Sequence, residues 1–194
     1  MLLTKPQTPW RMTKEEFLRL PEGPPDYEFE DGEVIPLARP HEKHQDILAA
    51  LMEILRPHIR THRLGRVRVE IDVDLTDTKA YVPDIVYVSA EHLDRLGVDG
   101  RVHGAPDLAV EISSRSTVSR DRIRKFEVYA QAGVSWYWLV DQDTLAIEEY
   151  HLQPEGYVRT SSVDAGEVFR PGLFPGLEIN LKELVGEEES IEER

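Results

Sequence analysis

Cysteine is absent from the 194 residues. That excludes a disulfide scaffold and any thiolate zinc site, and leaves carboxylate, carbonyl or imidazole groups as ligands for a metal. Such donors suit a hard cation, magnesium or manganese. Long apolar runs are missing as well. Stretches such as WYWLV at 136–140 fall far short of the roughly 20 residues of a membrane-spanning helix. The opening MLLTKPQTPW has no charged start followed by a long apolar stretch, so no secretory signal is expected. These absences point to a cytoplasmic protein with no membrane partner. Basic residues are also scarce: 23 Lys and Arg against 37 Asp and Glu give a formal net charge of −14. That balance weighs against binding phosphate backbones over the general surface. The distribution matters more than the sum, because RSTVSRDRIRK (115–125) holds five basic residues against one Asp and predicts a local positive ridge.

The length suits one domain, expected over 1–186 with its core at about 41–152. The last eight residues, EEESIEER, carry five Glu against one Arg and predict a solvated, disordered acidic tail over 187–194. Thr13 followed three residues later by Glu16 is a capping box opening a short helix. YEFEDGEVIPLA (27–38) predicts a hairpin turning at Asp31 and Gly32. Over 41–60, Ile47, Leu48, Leu51, Ile54, Leu55 and Ile59 recur at helical spacing, with Pro57 as a point where the helix kinks or ends. RVRVEIDVDL (66–75) alternates without a break and predicts one half-buried strand. YVPDIVYVS (81–89) and PDLAVEISS (106–114) are apolar on both faces, as central strands are. A helix capped by Ser119 is expected to run to about Gln131, with Ile123, Phe126 and Ala130 facing the core. WYWLVD (136–141) and AIEEYHL (146–152) predict two more strands, and LKELV a last short helix. The order implies an α/β fold of the α+β kind, a mixed sheet with helices on both faces and an N-terminal β-hairpin.

Asp84 opens an otherwise apolar strand, and Glu111 lies between Val110 and Ile112. Ionised carboxylates in such places are costly unless paired, hydrogen-bonded or bound to metal. If the two strands are neighbours, the carboxylates converge on one point of the sheet. Alternation puts Glu111 on the face of the small residues Ala109 and Ser113. Lys125 lies on the following helix, with Asp121 and Tyr129 one turn away on the same flank. Two carboxylates and a lysine form a minimal site for metal-assisted phosphodiester hydrolysis. Magnesium would take Asp84, Glu111, the backbone carbonyl of Ile112 and waters.

VPDIVYVS, followed by APDLAVEISSRSTVSRDRIRKFEVYAQAGVSWYWLVD, resembles the Uma-type family of putative restriction endonucleases, a domain of unknown function similar to the PD-(D/E)XK nuclease superfamily. YEFEDGEVI and the HQDI segment with His44 resemble that family's amino-terminal signatures. The resemblance covers roughly residues 12–180. It implies a restriction-endonuclease-like core with Asp84 as the motif aspartate and Glu111 as the motif glutamate. Ser113 stands where the superfamily pattern has lysine, so Lys125 on the helix would have to supply that charge.

Plainer readings stand beside these. Asp84 can cap a turn after Pro83, Glu111 can sit in a structural ion pair, and Lys125 alone is a surface lysine. Glu28, Glu33 and Glu70 can each add a carboxylate near the metal or be solvated strand residues. His44 is either a base or phosphate contact or a helix-surface histidine. The remaining histidines lack a zinc-ligand pattern. The leading expectation is a Mg2+- or Mn2+-dependent endonuclease acting on nucleic acid, DNA before RNA, working as a homo-oligomer (dimer or higher). The alternatives are a catalytically inactive nuclease-fold module for binding or assembly, and a metal-dependent phosphoesterase for small substrates.

Overall fold

In the computed structural model, which describes residues 10–20, 27–37, 41–113 and 121–186 (for 121 and 122 the backbone alone), the alternation of 66–75 breaks at Glu70. Glu70 takes a left-handed φ of 46°, which turns one expected strand into two. β4 (Gly65–Val69) joins one sheet and β5 (Val73–Thr76) the other. The single mixed sheet expected from sequence is therefore a pair of six-stranded mixed sheets. The period of two survives the break, so the pattern carries no mark of it.

The first sheet contains β1 (Trp10–Arg11), β3 (Glu33–Pro36), β2 (Tyr27–Glu30), β6 (Lys79–Tyr81), β5 and β8 (Val102–His103), in that spatial order. The β2–β3 hairpin turns at Asp31 and Gly32, with φ of 48° and 87°, the positive-φ pair of the tightest hairpins. Thr13 and Glu16 form the reciprocal capping box of α1 (Lys14–Phe17).

The second sheet runs β12 (Gly156–Val163), β11 (Ile147–Gln153), β10 (Trp136–Asp141), β9 (Leu108–Ser113), β7 (Ile85–Ser89) and β4. Its β9–β10 pair is parallel and its other pairs antiparallel. On one face lies α2 (Glu42–Thr61), which continues through Pro57 and buries Ile47, Leu48, Leu51, Leu55 and Ile59. These pack with Ile85, Val110, Trp138 and the C-terminal Phe169 and Phe174, beside α4 (Leu181–Val185). On the other face, Val86, Val88, Ala109, Tyr137 and Leu139 meet Val73, Tyr81 and Val102 of the first sheet and Val128 and Tyr129 of α3 (Asp121–Ala132).

α3 keeps only part of its expected stripe against the core. Phe126 packs on Tyr137, Tyr150 and Tyr157 as expected, but Ile123 is 62% exposed, and Val128 and Tyr129 are buried. The helix is rotated so that its Lys125–Tyr129 line meets Glu111, an ion pair that periodicity of apolar residues does not register. The Ser119 cap, the arginines 115, 120 and 122 of the expected positive ridge, the Asp121 side chain and the acidic tail lie outside the described residues. Tyr137 and Trp138 are wholly buried, and the Trp138 indole donates to the buried Glu149 carboxylate at 3.0 Å. No helix among the described residues is long and apolar enough to cross a membrane.

Candidate functional site

β7 and β9 are antiparallel neighbours with Ile85 opposite Val110. Continuing that register by one residue sets Asp84 across from Glu111, at the end of the sheet where α2 begins. Cross-strand partners share a face, so a carboxylate from each strand comes to one place. Asp84 is anchored on both oxygens: Oδ2 accepts the Ile112 N–H at 2.6 Å and Oδ1 meets His44 Nε2 at 3.0 Å. His44 reaches it from the first turns of α2 and is itself buried. Its other ring nitrogen, Nδ1, is buried without a hydrogen-bond partner among the described residues.

Glu111 is held from above by α3. Lys125 Nζ donates to its two oxygens at 3.2 and 3.0 Å, and the Tyr129 hydroxyl donates to Oε1 at 2.6 Å. Positions 125 and 129 are one helical turn apart and so present these donors together. The same ammonium lies 2.8 Å from Glu28 Oε1, on β2 of the first sheet, and 5.7 Å from the centre of the Tyr81 ring. Next to it, Glu30 accepts from Tyr81 and Lys79 and pairs with Arg124 at 2.6 Å. Two carboxylates of β2 thus engage two consecutive cations of α3.

Burial pushes the Glu111 carboxyl up to about 7, and the charges of Asp84 and Glu28 add to the rise against the opposing pull of Lys125 and Tyr129. Burial would pull Lys125 down, but Glu111 and Glu28 hold it well above its ordinary value. Burial also raises the Tyr129 hydroxyl, with Glu111 and Glu28 adding to the effect, so it stays a neutral donor. For His44, burial works downward and is outweighed by the hydrogen bond and charge of Asp84, with Glu70 and Glu111 behind it; the net direction is up.

Of the residues singled out in the sequence, Asp84, Glu111, Lys125, Tyr129 and His44 come together. Ile112 joins them through its amide, which holds Asp84. Glu33 does not join. It stands on the far side of the hairpin, paired with Arg11 at 2.6 Å, because its strand β3 lies one place further from the second sheet than β2. Glu28, weighed beside Glu33 as an added carboxylate, does reach the centre through Lys125. The alternation in YEFE suggests a solvated polar face, yet Glu28 and Glu30 are 5% and 6% exposed. The available signal was the match between these i, i+2 carboxylates and the adjacent cations Arg124 and Lys125. Asp107, the second Pro-Asp aspartate, caps the opposite end of β9, accepting the Ser89 N–H at 2.7 Å.

Among the described residues, no group of three or more histidines, aspartates and glutamates is arranged as a metal cage. The donor set nevertheless fits a hard divalent ion of the magnesium type, which uses one or two carboxylates and completes its shell with water and substrate phosphates. Glu28 and Glu111 both pair with Lys125, and Asp84 lies across from Glu111 beyond the Ile85–Val110 pair, so three carboxylates gather near one ammonium.

Comparison with known proteins agrees with the architecture. The family described as "Uma2: Putative restriction endonuclease" matches residues 14–182. An uncharacterized protein of Synechocystis sp. is 25% identical over 159 residues, covering 80% of this chain and 83% of its own. The crystal structure of a putative nuclease belonging to DUF820 from Anabaena variabilis superposes with a TM-score of 0.68 at 23% identity, covering 90% of this chain and 97% of that one. That likeness shows the fold.

Proposed function

This chain belongs to the Uma2 family of putative restriction endonucleases, and on that premise we propose that it hydrolyses phosphodiester bonds in nucleic acid, DNA above all, at the Asp84–Glu111–Lys125 centre. The observation that carries the reading is the position of Lys125: its ammonium lies 3.0 Å from Glu111, and Glu111 faces Asp84. A cation from α3 thereby stands in for the one that Ser113 cannot provide.

Asp84 and Glu111, with the Ile112 carbonyl, would hold magnesium or manganese, which when bound supplies Lewis acidity toward the phosphate. The protein's own groups do the rest. His44 and the Ile112 amide fix the Asp84 carboxylate in orientation. Tyr129 does the same for Glu111 and stays protonated. Lys125, shared between Glu28 and Glu111, turns its charge to the oxygens of a phosphate as negative charge develops there, the role of a preorganised cation in phosphoryl chemistry. Glu28 keeps the ammonium charged and in place until substrate arrives.

The test is plasmid and oligonucleotide cleavage with Mg2+ or Mn2+. Asp84→Asn and Glu111→Gln should abolish it, Lys125→Met should lower kcat by on the order of 10²- to 10³-fold, and Lys125→Arg should retain part of it. A wild-type protein that cleaves no DNA or RNA with either metal would sink the proposal. A second reading, a catalytically retired binding module, draws on one observation: both Glu111 oxygens are already engaged by Lys125. Calorimetry separates the two, because the module binds no metal while the enzyme binds it and loses it on Glu111→Gln. Turnover of mononucleotide esters in preference to plasmid would instead favour a small-substrate phosphoesterase.

A further inference from the structure

On a chain with a net charge of −14, an uncompensated cluster of positive charge needs a reason. One lies where the second half of α2 passes the outer edge of β4. Arg56, Arg60, Arg63, Arg66 and Arg68 line a groove of ≈ 510 Å³ there, and no carboxylate shares its lining. The first four are exposed and form no ion pair with any described residue; Arg68 donates to the Val67 carbonyl at 3.0 Å. Arg56 and Arg60 are four residues apart on α2, which keeps them on one flank of the helix, and Arg63 lies just past the helix's C-terminal end. Arg66 and Arg68 are two residues apart on a strand, about 6.8 Å. The helix end is locked by paired bonds, Leu64 N–H to Ile59 C=O at 3.0 Å and Arg63 N–H to Arg60 C=O at 3.2 Å. This closure places Arg63 itself in the left-handed position, φ 55°, that glycine usually occupies.

The groove leads somewhere. A second hollow of ≈ 560 Å³ shares Arg56 and continues along α2 to Gln45 and Val69, with Glu53 as the carboxylate in its lining. Gln45 adjoins His44 and donates to Glu70 at 3.4 Å, and the Glu70 N–H binds the Asp84 carbonyl at 3.1 Å. From Gln45 to Arg60 the helix extends about 22 Å at 1.5 Å per residue, room for roughly six base-pair steps of duplex. Charged side chains on an edge strand also deter strand-to-strand aggregation. That accounts for Arg66 and Arg68 but not for Arg56 and Arg60 on the helix or Arg63 at its end. Arginine in place of lysine throughout favours two-pronged hydrogen bonding to phosphate oxygens.

We infer that this arginine groove between α2 and the β4 edge is the track that holds a nucleic-acid phosphodiester backbone and leads it to the carboxylate centre. The inference rests on the nuclease reading only for the track's destination. Anisotropy of a short fluorescein-labelled DNA duplex, measured in EDTA over a range of salt, tests the track without hydrolysis. The triple variant Arg60→Gln, Arg63→Gln, Arg66→Gln should bind on the order of tenfold or more weakly at low salt, and its log–log salt slope should shrink by about 3. An equal loss of charge elsewhere (Arg11→Gln, Arg159→Gln, Arg170→Gln) should leave binding near wild type. Equal losses in the two triples, or no binding by the wild type at low salt, overturns the track. If the groove triple loses binding while the wild type cleaves nothing with Mg2+ or Mn2+, the track stands and the nuclease reading falls. If the wild type cleaves and the groove triple binds like it, the track falls and the nuclease reading stands. Circular dichroism and urea midpoints confirm that both triples are folded.

Discussion

Glu111 is the residue on which the charge balance turns. Its neighbours Asp84 and Glu28 are carboxylates, and Lys125 must serve both Glu28 and Glu111, at 2.8 and 3.0 Å. Burial is the largest force on its carboxyl, and the like charges add to it, so it titrates near 7 and not at the model-peptide value of 4.5. Between those two values the native protein keeps a proton that the unfolded chain has released. Stability from this group is therefore fully present below pH 4.5 and is lost as pH rises to 7 and beyond. Metal-free protein in EDTA should show a lower urea midpoint at pH 7.5 than at pH 5, and Glu111→Gln should remove that part of the decline. A slope that Glu111→Gln leaves unchanged would mean the carboxylate surplus has been misjudged. Glu28→Gln should act in the same sense but less strongly, since it removes one like charge and frees Lys125 for Glu111.

At the scale of elements, periodic patterns told most where a single force decided the outcome. The stripe of α2, the capping box of α1, the Asp-Gly hairpin and WYWLVD as β10 all follow from apolar burial or turn chemistry, and all stand where expected. Local pattern failed where two forces competed. The alternation of 66–75 runs through Glu70 although the chain changes sheets there. α3 keeps Phe126 of its expected stripe against the core but turns Ile123 outward so that Lys125 and Tyr129 meet Glu111, and β12 has so polar a sequence (GYVRTSSV) that only its pairing with β11 reveals it. The same blindness left Glu28 undecided between a carboxylate of the centre and a solvated residue, because a polar strand face looks identical whether it meets water or a lysine of another element. The Glu70 hinge can be tested directly. A left-handed φ costs a non-glycine residue about 1–3 kcal/mol, most where the side chain is branched at Cβ. Because Glu70 is exposed, Glu70→Gly should stay within about 1 kcal/mol of wild type, while Glu70→Val should destabilise by about 1–3 kcal/mol. Equal urea midpoints for the two variants would show that the turn does not hold the sheets in their present relation.

For the whole molecule, the centre is where every layer meets. Glu28 comes from the first sheet, Asp84 and Glu111 from adjacent strands of the second, Lys125 and Tyr129 from α3, and His44 from α2 on the opposite face. Such a site does not assemble in the unfolded chain, so a cation bound there stabilises the native state by mass action. The gain is about 2.7 kcal/mol at a hundred times the dissociation constant. A domain of this size responds with about 2–4 °C of Tm per kcal/mol, so saturating Mg2+ or Mn2+ should raise Tm by roughly 5–10 °C. Protons compete for Glu111, whose carboxyl titrates near 7, so the shift should be larger at pH 8 than at pH 6. Asp84→Asn and Glu111→Gln should each abolish it, whereas the Arg60, Arg63 and Arg66 substitutions should leave it intact, since they lie outside the carboxylate centre. Differential scanning fluorimetry on the four proteins, with and without metal at both pH values, decides the matter. A wild type whose Tm ignores millimolar Mg2+ and Mn2+ at pH 8 does not bind them, and the centre is then a buried ion-pair lock between the two sheets.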